Sequence, residues 1–481
     1  MKICVFVEGA YPRTTGGVSS WLQYLMEQMP QHEYIVYSIS PRQREGLAVK
    51  YPPPNNLREL REVYLEGYLD VEPNHNKRYD LSDSEKSAIY QLIAGEETDW
   101  DSLFDLFQKK RIDSIPDFLV SKDFYDVVYE LCATRFPYVP FTDMFWSLRS
   151  MLLPLFIIMD QDIPEADVYH AVSTGYAGIL GSLAKHRYKK PLLLTEHGIY
   201  TREREEEIIK AKWIQGYFKD IWIHYFYNLS SCTYQYADKV TTLFEKNRRI
   251  QLDLGCPADK TMVIGNGVDV ERFATIRREK RPGYHIGAVV RIVPIKDIKT
   301  MLQSFSRIQS VLPDAHFYLI GPNDEDEEYY NECVALAEAL NINNLTYTGN
   351  VDIRNYLSFI DILVLSSISE GQPLVILEAF AAGIPVVSTD VGACREMIEG
   401  PHDEFGAAGA VVPLMHYQEM ATQCIRILQS PQIALEYGES GRERVSTYYR
   451  LDQMIQNYNT LYLSQEVKKD GRDRISTERT V

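Results

Sequence analysis

The segment SEGQPLVILEAFAAGIPVVSTD, Ser369 to Asp390, sets two glutamates eight positions apart. Glu370 precedes a glycine in a loop, whereas Glu378 falls among Ile376, Leu377, Ala379 and Phe380 in an apolar helix. A carboxylate buried there without a partner is costly or takes up a proton, so Glu378 needs donors. A cis-diol such as that of ribose supplies two hydroxyls at the separation of one carboxylate's oxygens, and a sugar hydroxyl could satisfy Glu370 in the same way. The competing reading pairs Glu378 with an arginine of its own domain. Gln372 and Pro373 begin the helix, with proline near the first position, where its missing N–H costs least, and Gly383 ends it. The strand-to-helix turn through Gly371, Gln372, Pro373 and Leu374 aims unpaired backbone N–H groups outward, which suits an anion such as a diphosphate.

A second loop, in VVRIVPIKDIKT, carries Arg291 and Lys296 ahead of a helix that starts near Asp297. A guanidinium can bond two phosphate oxygens and an ammonium acts as a point charge, so the pair fits a pyrophosphate. Alone, that spacing is a weak signal. In TTGGVSSW, Gly16 and Gly17 open the first helix, where a ligand could approach the backbone closely; a plain tight turn would use the same glycines. His197, in LLLTEHGIYTRER, ends an apolar strand beside Gly198. A lone histidine is more often structural, but a strand's carboxyl end is where ligands of α/β sheets bind.

These residues need strands and helices to hold them. The opening KICVFVEG, then AYPRTTGG, VSSWLQYLMEQM and YIVYSIS, reads as strand, loop, helix, strand. The same alternation resumes with VYHAVS, GYAGILGSLAKHRY, PLLLTEHG, an aromatic-rich helical stretch around 213–236, and KVTTLF. A second series begins at GYHIGAVV and runs through HFYLIG, LTYTGNV, ILVLSS and IPVVST. The expected class is therefore α/β, with two Rossmann-like domains facing across a cleft. The first spans 1–275, with a largely helical insert at about 41–166 read as decoration; the second spans 276–445. A helix at 446–467 returns to the first domain, and 468–481 forms a charged, disordered tail.

The length of 481 residues favours two domains. The formal charge of −17 argues against non-specific binding to nucleic acid or an anionic membrane, so any phosphate ligand needs a local basic site. Seven scattered cysteines show no metal-ligand spacing and read as reduced cytosolic thiols. The apolar run at the start is too short for a signal sequence, and MLLPLFIIM, broken by Pro154, is too short to span a bilayer. Two acidic triplets, Asp324 to Asp326 and Asp160 to Asp162, have the D-x-D form of metal-dependent transferases, but the first reads as an ordinary acidic helix start. GNGVDV lacks the third glycine of a dinucleotide fingerprint, which counts against a nicotinamide oxidoreductase.

Together, Arg291 and Lys296, NGVD at Asn266 to Asp269, and Glu370 with Glu378 resemble glycosyltransferase family 4, a retaining family of GT-B fold. VEGAYPRTTGGVSSW, the insert and TEHGIYTRER more closely resemble the PelF-type cytosolic glycosyltransferases of Pel polysaccharide systems. The resemblance implies that Arg291 and Lys296 hold a donor diphosphate, Glu378 the ribose and Glu370 the donor sugar. His197 would line the sugar pocket, Gly17 would approach the phosphate, and Asn350, Val351 and Asp352 would meet the base. It implies a UDP-sugar donor, a polysaccharide acceptor, membrane-embedded synthase or export partners, a cytoplasmic location at the membrane's inner face, and neither metal nor tightly bound cofactor. Many relatives carry Phe-Gly where Gln372 and Pro373 stand, which changes the donor-sugar contacts. A rival expectation is a silent nucleotide-sugar-binding subunit that scaffolds a synthase; the intact charged residues count against it.

Overall fold

Short apolar strands buried on both faces pair in parallel, and the helices that connect them cover those faces. The chain follows this rule twice in the computed structural model, which describes residues 1–9, 11–13, 16–42, 49–66, 73–74, 77–400 and 403–477, with 466–477 as backbone alone. Residues Met1–Val263, joined by those from Asn459 onward, make one compact unit, and Ile264–Tyr458 make the other.

The first unit holds β1 (Lys2–Glu8), β2 (Glu33–Ser40), β3 (Leu57–Tyr64), β4 (Val168–Ala171), β5 (Leu192–Glu196), β6 (Lys239–Thr242) and β7 (Thr261–Val263). They form a parallel sheet in the order β3-β2-β1-β4-β5-β6-β7. The second unit holds β8 (Tyr284–Val289), β9 (Ala315–Ile320), β10 (Leu345–Tyr347), β11 (Ile362–Leu365), β12 (Val386–Thr389) and β13 (Gly409–Val412). Their order is β10-β9-β8-β11-β12-β13, again parallel. Chain direction reverses across the sheet between β1 and β4 in one unit and between β8 and β11 in the other, and such a switch point opens a crevice at the strands' carboxyl ends. Arg291 and Lys296 follow β8 and Glu370 follows β11, so sequence and topology select the same crevice.

The insert differs from its sequence reading in two ways. It contributes β3, which pairs with β2 along the edge of the first sheet. Strand β3, LRELREVY, carries charged residues on both faces and is mostly half-buried, as a strand at the edge of a sheet can be. Its helices are also more than decoration. Trp100, Phe104, Phe107, Phe118, Phe124 and Phe156 are buried in one cluster with Phe6 and Tyr37 of the sheet. The helix Phe141–Met159 contains Pro154 and the MLLPLFIIM run. By length and composition it could cross a membrane, but the whole run except Pro154 is buried in that core.

The segment 264–275, read from sequence as the end of the first domain, lies with the second unit: Asn266 bonds Gln372, and Glu271 pairs with Arg450 at 2.9 Å. The last helix, Leu451–Thr477, starts in the second unit and ends in the first. There the Tyr462 hydroxyl meets His170 Nδ1 at 2.7 Å, and Asn459 Oδ1 meets His32 Nε2 at 2.9 Å. The helix continues through 468–477, where the sequence reading placed a disordered tail; residues 478–481 lie outside the described residues. All seven cysteines are free thiols, six of them buried.

Candidate functional site

In the second unit the site is built from strand ends that brace one another. After β8 a short turn, Pro294–Lys296, precedes the helix Ile298–Val311, and Asp297 between them takes a left-handed conformation with φ 47°. The Ser366 hydroxyl, at the end of β11, donates to the carbonyls of Lys296 and Asp297 at 2.9 and 2.8 Å. Ile368 N–H donates to the Ile295 carbonyl at 2.9 Å. The two loops at the switch point are thereby held as one piece. On the far side, the Thr389 hydroxyl donates to the Ser367 carbonyl at 2.7 Å, and Ala393 N–H donates to the Gly371 carbonyl at 2.9 Å. Gly392 adopts φ +51°, and a Cβ there would stand 2.2 Å from the carbonyl oxygens of Glu370 and Gly371. Only glycine fits that approach without strain.

Inside this frame, the Lys296 ammonium donates to Glu370 Oε1, which also accepts from the Ser367 hydroxyl at 2.5 Å. Both members of the ion pair are largely buried, 17% and 12% exposed, so each is fixed in place where an exposed pair would wander. Gln372 is buried; its amide oxygen accepts from Asn266 N–H at 2.5 Å, tying the NGVD segment to the loop. The residues that replace Phe-Gly thus do local structural work. Pro373 then starts the helix Leu374–Ala381 with no side-chain cap, leaving its first N–H groups open.

Glu378 lies one turn into that helix. Among the described residues its carboxylate has no hydrogen-bond or ion-pair partner, and burial pushes its pKa up to about 7 against the pull of Arg272. The arginine of the competing reading is therefore an electrostatic neighbour rather than a salt-bridge partner. Arg291 is placed differently from Lys296: it pairs at 2.7 Å with Glu325, both being well exposed. Asp326, from the same acidic triplet, caps the helix Glu327–Ala339 by accepting from Tyr329 N–H at 2.9 Å. Asn350, Val351 and Asp352 follow β10; Asp352 caps the next short helix and pairs with Arg354 at 2.6 Å. Arg354 and Asp352 line an open cavity of about 510 Å³ with Arg272, Arg277 and Arg281, a local reversal of the chain's negative charge.

In the first unit, Gly16 and Gly17 begin the helix Gly17–Gln28, while Thr14 and Thr15 lie outside the described residues. Gly16 has extended backbone, φ 176°, and a Cβ at either glycine would meet nothing within 4 Å. Among the described residues, no packing contact demands glycine at either position. Trp21 of the same helix meets His197 edge to face, ring centroids 4.8 Å apart. His197 Nε2 is buried without a hydrogen-bond partner, and desolvation lowers its pKa to about 4. Its neighbour Glu196 is fully saturated by contrast, accepting from Tyr234 and Gln251 at 2.7 and 2.9 Å. His197 and the glycines therefore share one end of the sheet.

Comparison with known proteins agrees with this layout. A model described as Domain of unknown function (DUF3492) matches residues 1–259, and one described as Glycosyl transferases group 1 matches 283–430. The chain belongs to the DUF3492 family, with a group 1 glycosyltransferase domain as its second unit. The MMP alpha-(1->4)-mannosyltransferase of Mycolicibacterium hassiacum is 27% identical over 58% of this chain and 66% of its own length. The chain thus spans just under two thirds of that relative. Sucrose-phosphate synthase from Thermosynechococcus elongatus has a TM-score of 0.60 at 16% identity, covering 97% of this chain and 99% of its own. HepE of Anabaena, solved in complex with UDP, also scores 0.60, at 15% identity over 96% and 100%. The fold is GT-B.

Within the group 1 domain, Lys296 on the loop after β8 and Glu370, Gly371, Gln372, Pro373 and Leu374 after β11 come together on two loops braced against each other, with Glu378 on the helix that follows. Arg291 stands apart in its pair with Glu325, and Asn350 to Asp352 stand at the end of a different strand. Sequence reasoning missed Ser366, Ser367, Thr389 and Gly392, which hold the loop. The glycine in DVGACRE, just past an apolar strand, was the one signal that could have been read. It also missed Arg272, because the short helix Val270–Ala274 has too few residues to show periodicity. Among the described residues, no three His, Cys, Asp or Glu side chains cluster as metal ligands.

Proposed function

We propose that this group 1 chain transfers a sugar, with retention of configuration, from a UDP-sugar onto a growing polysaccharide. The donor is UDP-glucose or a UDP-N-acetylhexosamine, and the role is that of the PelF-type proteins in Pel exopolysaccharide biosynthesis. The observation that carries the reading is Glu378, a half-buried carboxylate with no donor of its own among the described residues, on the helix whose uncapped start follows the loop where Glu370 holds Lys296. A ribose diol would supply the missing hydrogen bonds. Lys296 and the amides at Leu374 would take the charge of the departing diphosphate, and Arg291 would join them on exchanging Glu325 for a phosphate oxygen. These groups act on a leaving dianion by preorganised charge, so the reading requires no metal.

Glu370, oriented by Lys296 and Ser367, would receive a hydroxyl of the donor sugar. Retention follows from attack on the face the diphosphate leaves, with a phosphate oxygen accepting the acceptor's proton. The resemblance assigns His197 to the donor sugar and Gly17 to the phosphate; as a neutral imidazole, His197 would act by hydrogen bonding. The setting is cytoplasmic, with recruitment to the membrane by synthase subunits.

The test is UDP release from a panel of UDP-sugars, with and without acceptor. Wild type is expected to release UDP in the presence of EDTA, whereas Lys296→Ala and Glu370→Ala fall by at least about a hundredfold, the loss typical of a single charge-stabilising group. Donor binding without any release, even with acceptor and synthase membranes supplied, would favour the scaffolding role. Activity abolished by EDTA and restored by magnesium would remove the metal-free mechanism.

A further inference from the structure

The insert carries a second feature with the makings of a site. The first turns of the helix Phe141–Met159 face the segment Trp213 to Trp222 across a groove of about 340 Å³. Trp146 and Trp213 stand in it 50% and 73% exposed, an unusual outlay of indole surface. Trp222 meets Trp213 edge to face at 6.0 Å, while Ile214 and Phe218 are buried as its floor. The Arg149 guanidinium lies over Trp146, 5.5 Å from the ring centroid. The rim is polar and carries no excess of either charge: Ser147, Ser150 and Gln215, with Asp143 as its carboxylate and Arg149 as its cation.

Its position in the fold narrows what it could hold. The helix Gly216–Tyr236 is anchored beside the carboxyl end of β4, where the Ser230 and Thr174 hydroxyls meet at 2.7 Å. From Ser230 back to Gly216 the helix rises roughly 20 Å further, at 1.5 Å per residue. The groove therefore stands beyond the carboxyl ends of the first sheet, the end that also carries His197 and the helix opened by Gly16 and Gly17. Flat indole faces suit the C–H faces of pyranose rings, and hydroxyl, amide and carboxylate groups beside them suit sugar hydroxyls. A membrane surface would call for a basic rim, and a protein partner for a drier one.

We propose that this groove binds a neutral glycan chain, with Trp146 and Trp213 as stacking platforms and Asp143, Ser147, Ser150 and Gln215 as hydrogen-bonding partners. It would hold an acceptor polysaccharide. The inference rests on the glycosyl-transfer reading, and the following test separates the two.

Cellohexaose and chitohexaose are titrated against the full chain by tryptophan fluorescence and calorimetry, alongside UDP. At least one oligosaccharide is expected to bind, with affinity lowered about tenfold in Trp146→Ala, in Trp213→Ala and in Asp143→Ala, while UDP binding is unchanged. All three side chains are exposed, so the variants should fold, and circular dichroism checks this. If wild type binds UDP but neither oligosaccharide, or if the variants bind as wild type does, the groove is not a glycan site while the donor site stands. If wild type binds an oligosaccharide at this groove but neither binds nor turns over a UDP-sugar, the donor reading fails alone. Variants that change only pelleting with synthase membranes would reassign the face to a protein partner.

Discussion

A carboxyl group whose pKa is about 7 is half ionised at neutral pH, so Glu378 should couple ligand binding to proton release. Hydroxyl donors favour the charged form, and UDP affinity is expected to weaken as pH falls below 7; in Glu378→Gln it should be weak and flat with pH, as titration calorimetry between pH 5.5 and 8.5 would reveal. The same group affects stability. Its pKa rises from 4.5 on folding, so the folded chain binds the extra proton and stability falls as pH climbs from 4.5 to 7. Glu378→Gln should therefore melt higher than wild type at pH 8, by an amount on the order of 1–3 kcal/mol, and show no such gain near pH 4.5. A variant that is both dead and more stable is the signature of a residue kept for binding. His197, lowered to about 4 by burial, should contribute no titration between pH 5 and 8. Glu378 was legible in the sequence because a charge in an apolar helix breaks the local pattern. Ser366 and Ser367 were not, since a serine that ends a strand looks like any turn residue until its acceptor is known.

At the scale of elements, the loop that carries Glu370 depends on neighbours more than on its own residues. Gly392→Ala places a methyl against two carbonyl oxygens at a left-handed backbone position, so the loop must shift. Loss of about 1–3 kcal/mol in stability is expected, together with weakened UDP binding, from paired melting and calorimetry. Asp326→Ala supplies the contrast: it removes a helix cap worth about 1 kcal/mol and should leave UDP affinity alone, because Glu325, not Asp326, is what Arg291 holds. Strands were readable where they are buried on both faces, since they appear as unbroken apolar runs. Strand β3 was not, because its apolar residues recur every third position and show no period of two. The helix Tyr200–Lys210 also escaped: ten of its eleven residues are TREREEEIIK, which reads as a solvated charge run before it reads as a helix.

For the whole molecule, the two parallel sheets read from the sequence are present, and the last helix runs from the second unit into the first. The division at 275 came late because the NGVD segment has no strand pattern and its bond to Gln372 spans 106 positions. Tyr462→Phe should destabilise the first unit by about 1 kcal/mol by leaving His170 Nδ1 without its hydroxyl, and a urea titration monitored in that unit would measure it.

The last helix has one more consequence, for anyone who wishes to dissect the chain. Residues from Asn459 onward belong to the unit built from 1–263, so cutting at the obvious seam would strip a fragment of part of its own interior. A first half expressed alone should be sticky and poorly folded, and a synthetic peptide spanning the detached stretch should rescue it in trans. The stretches on either side of the second unit thus make a single building block, interrupted by the other.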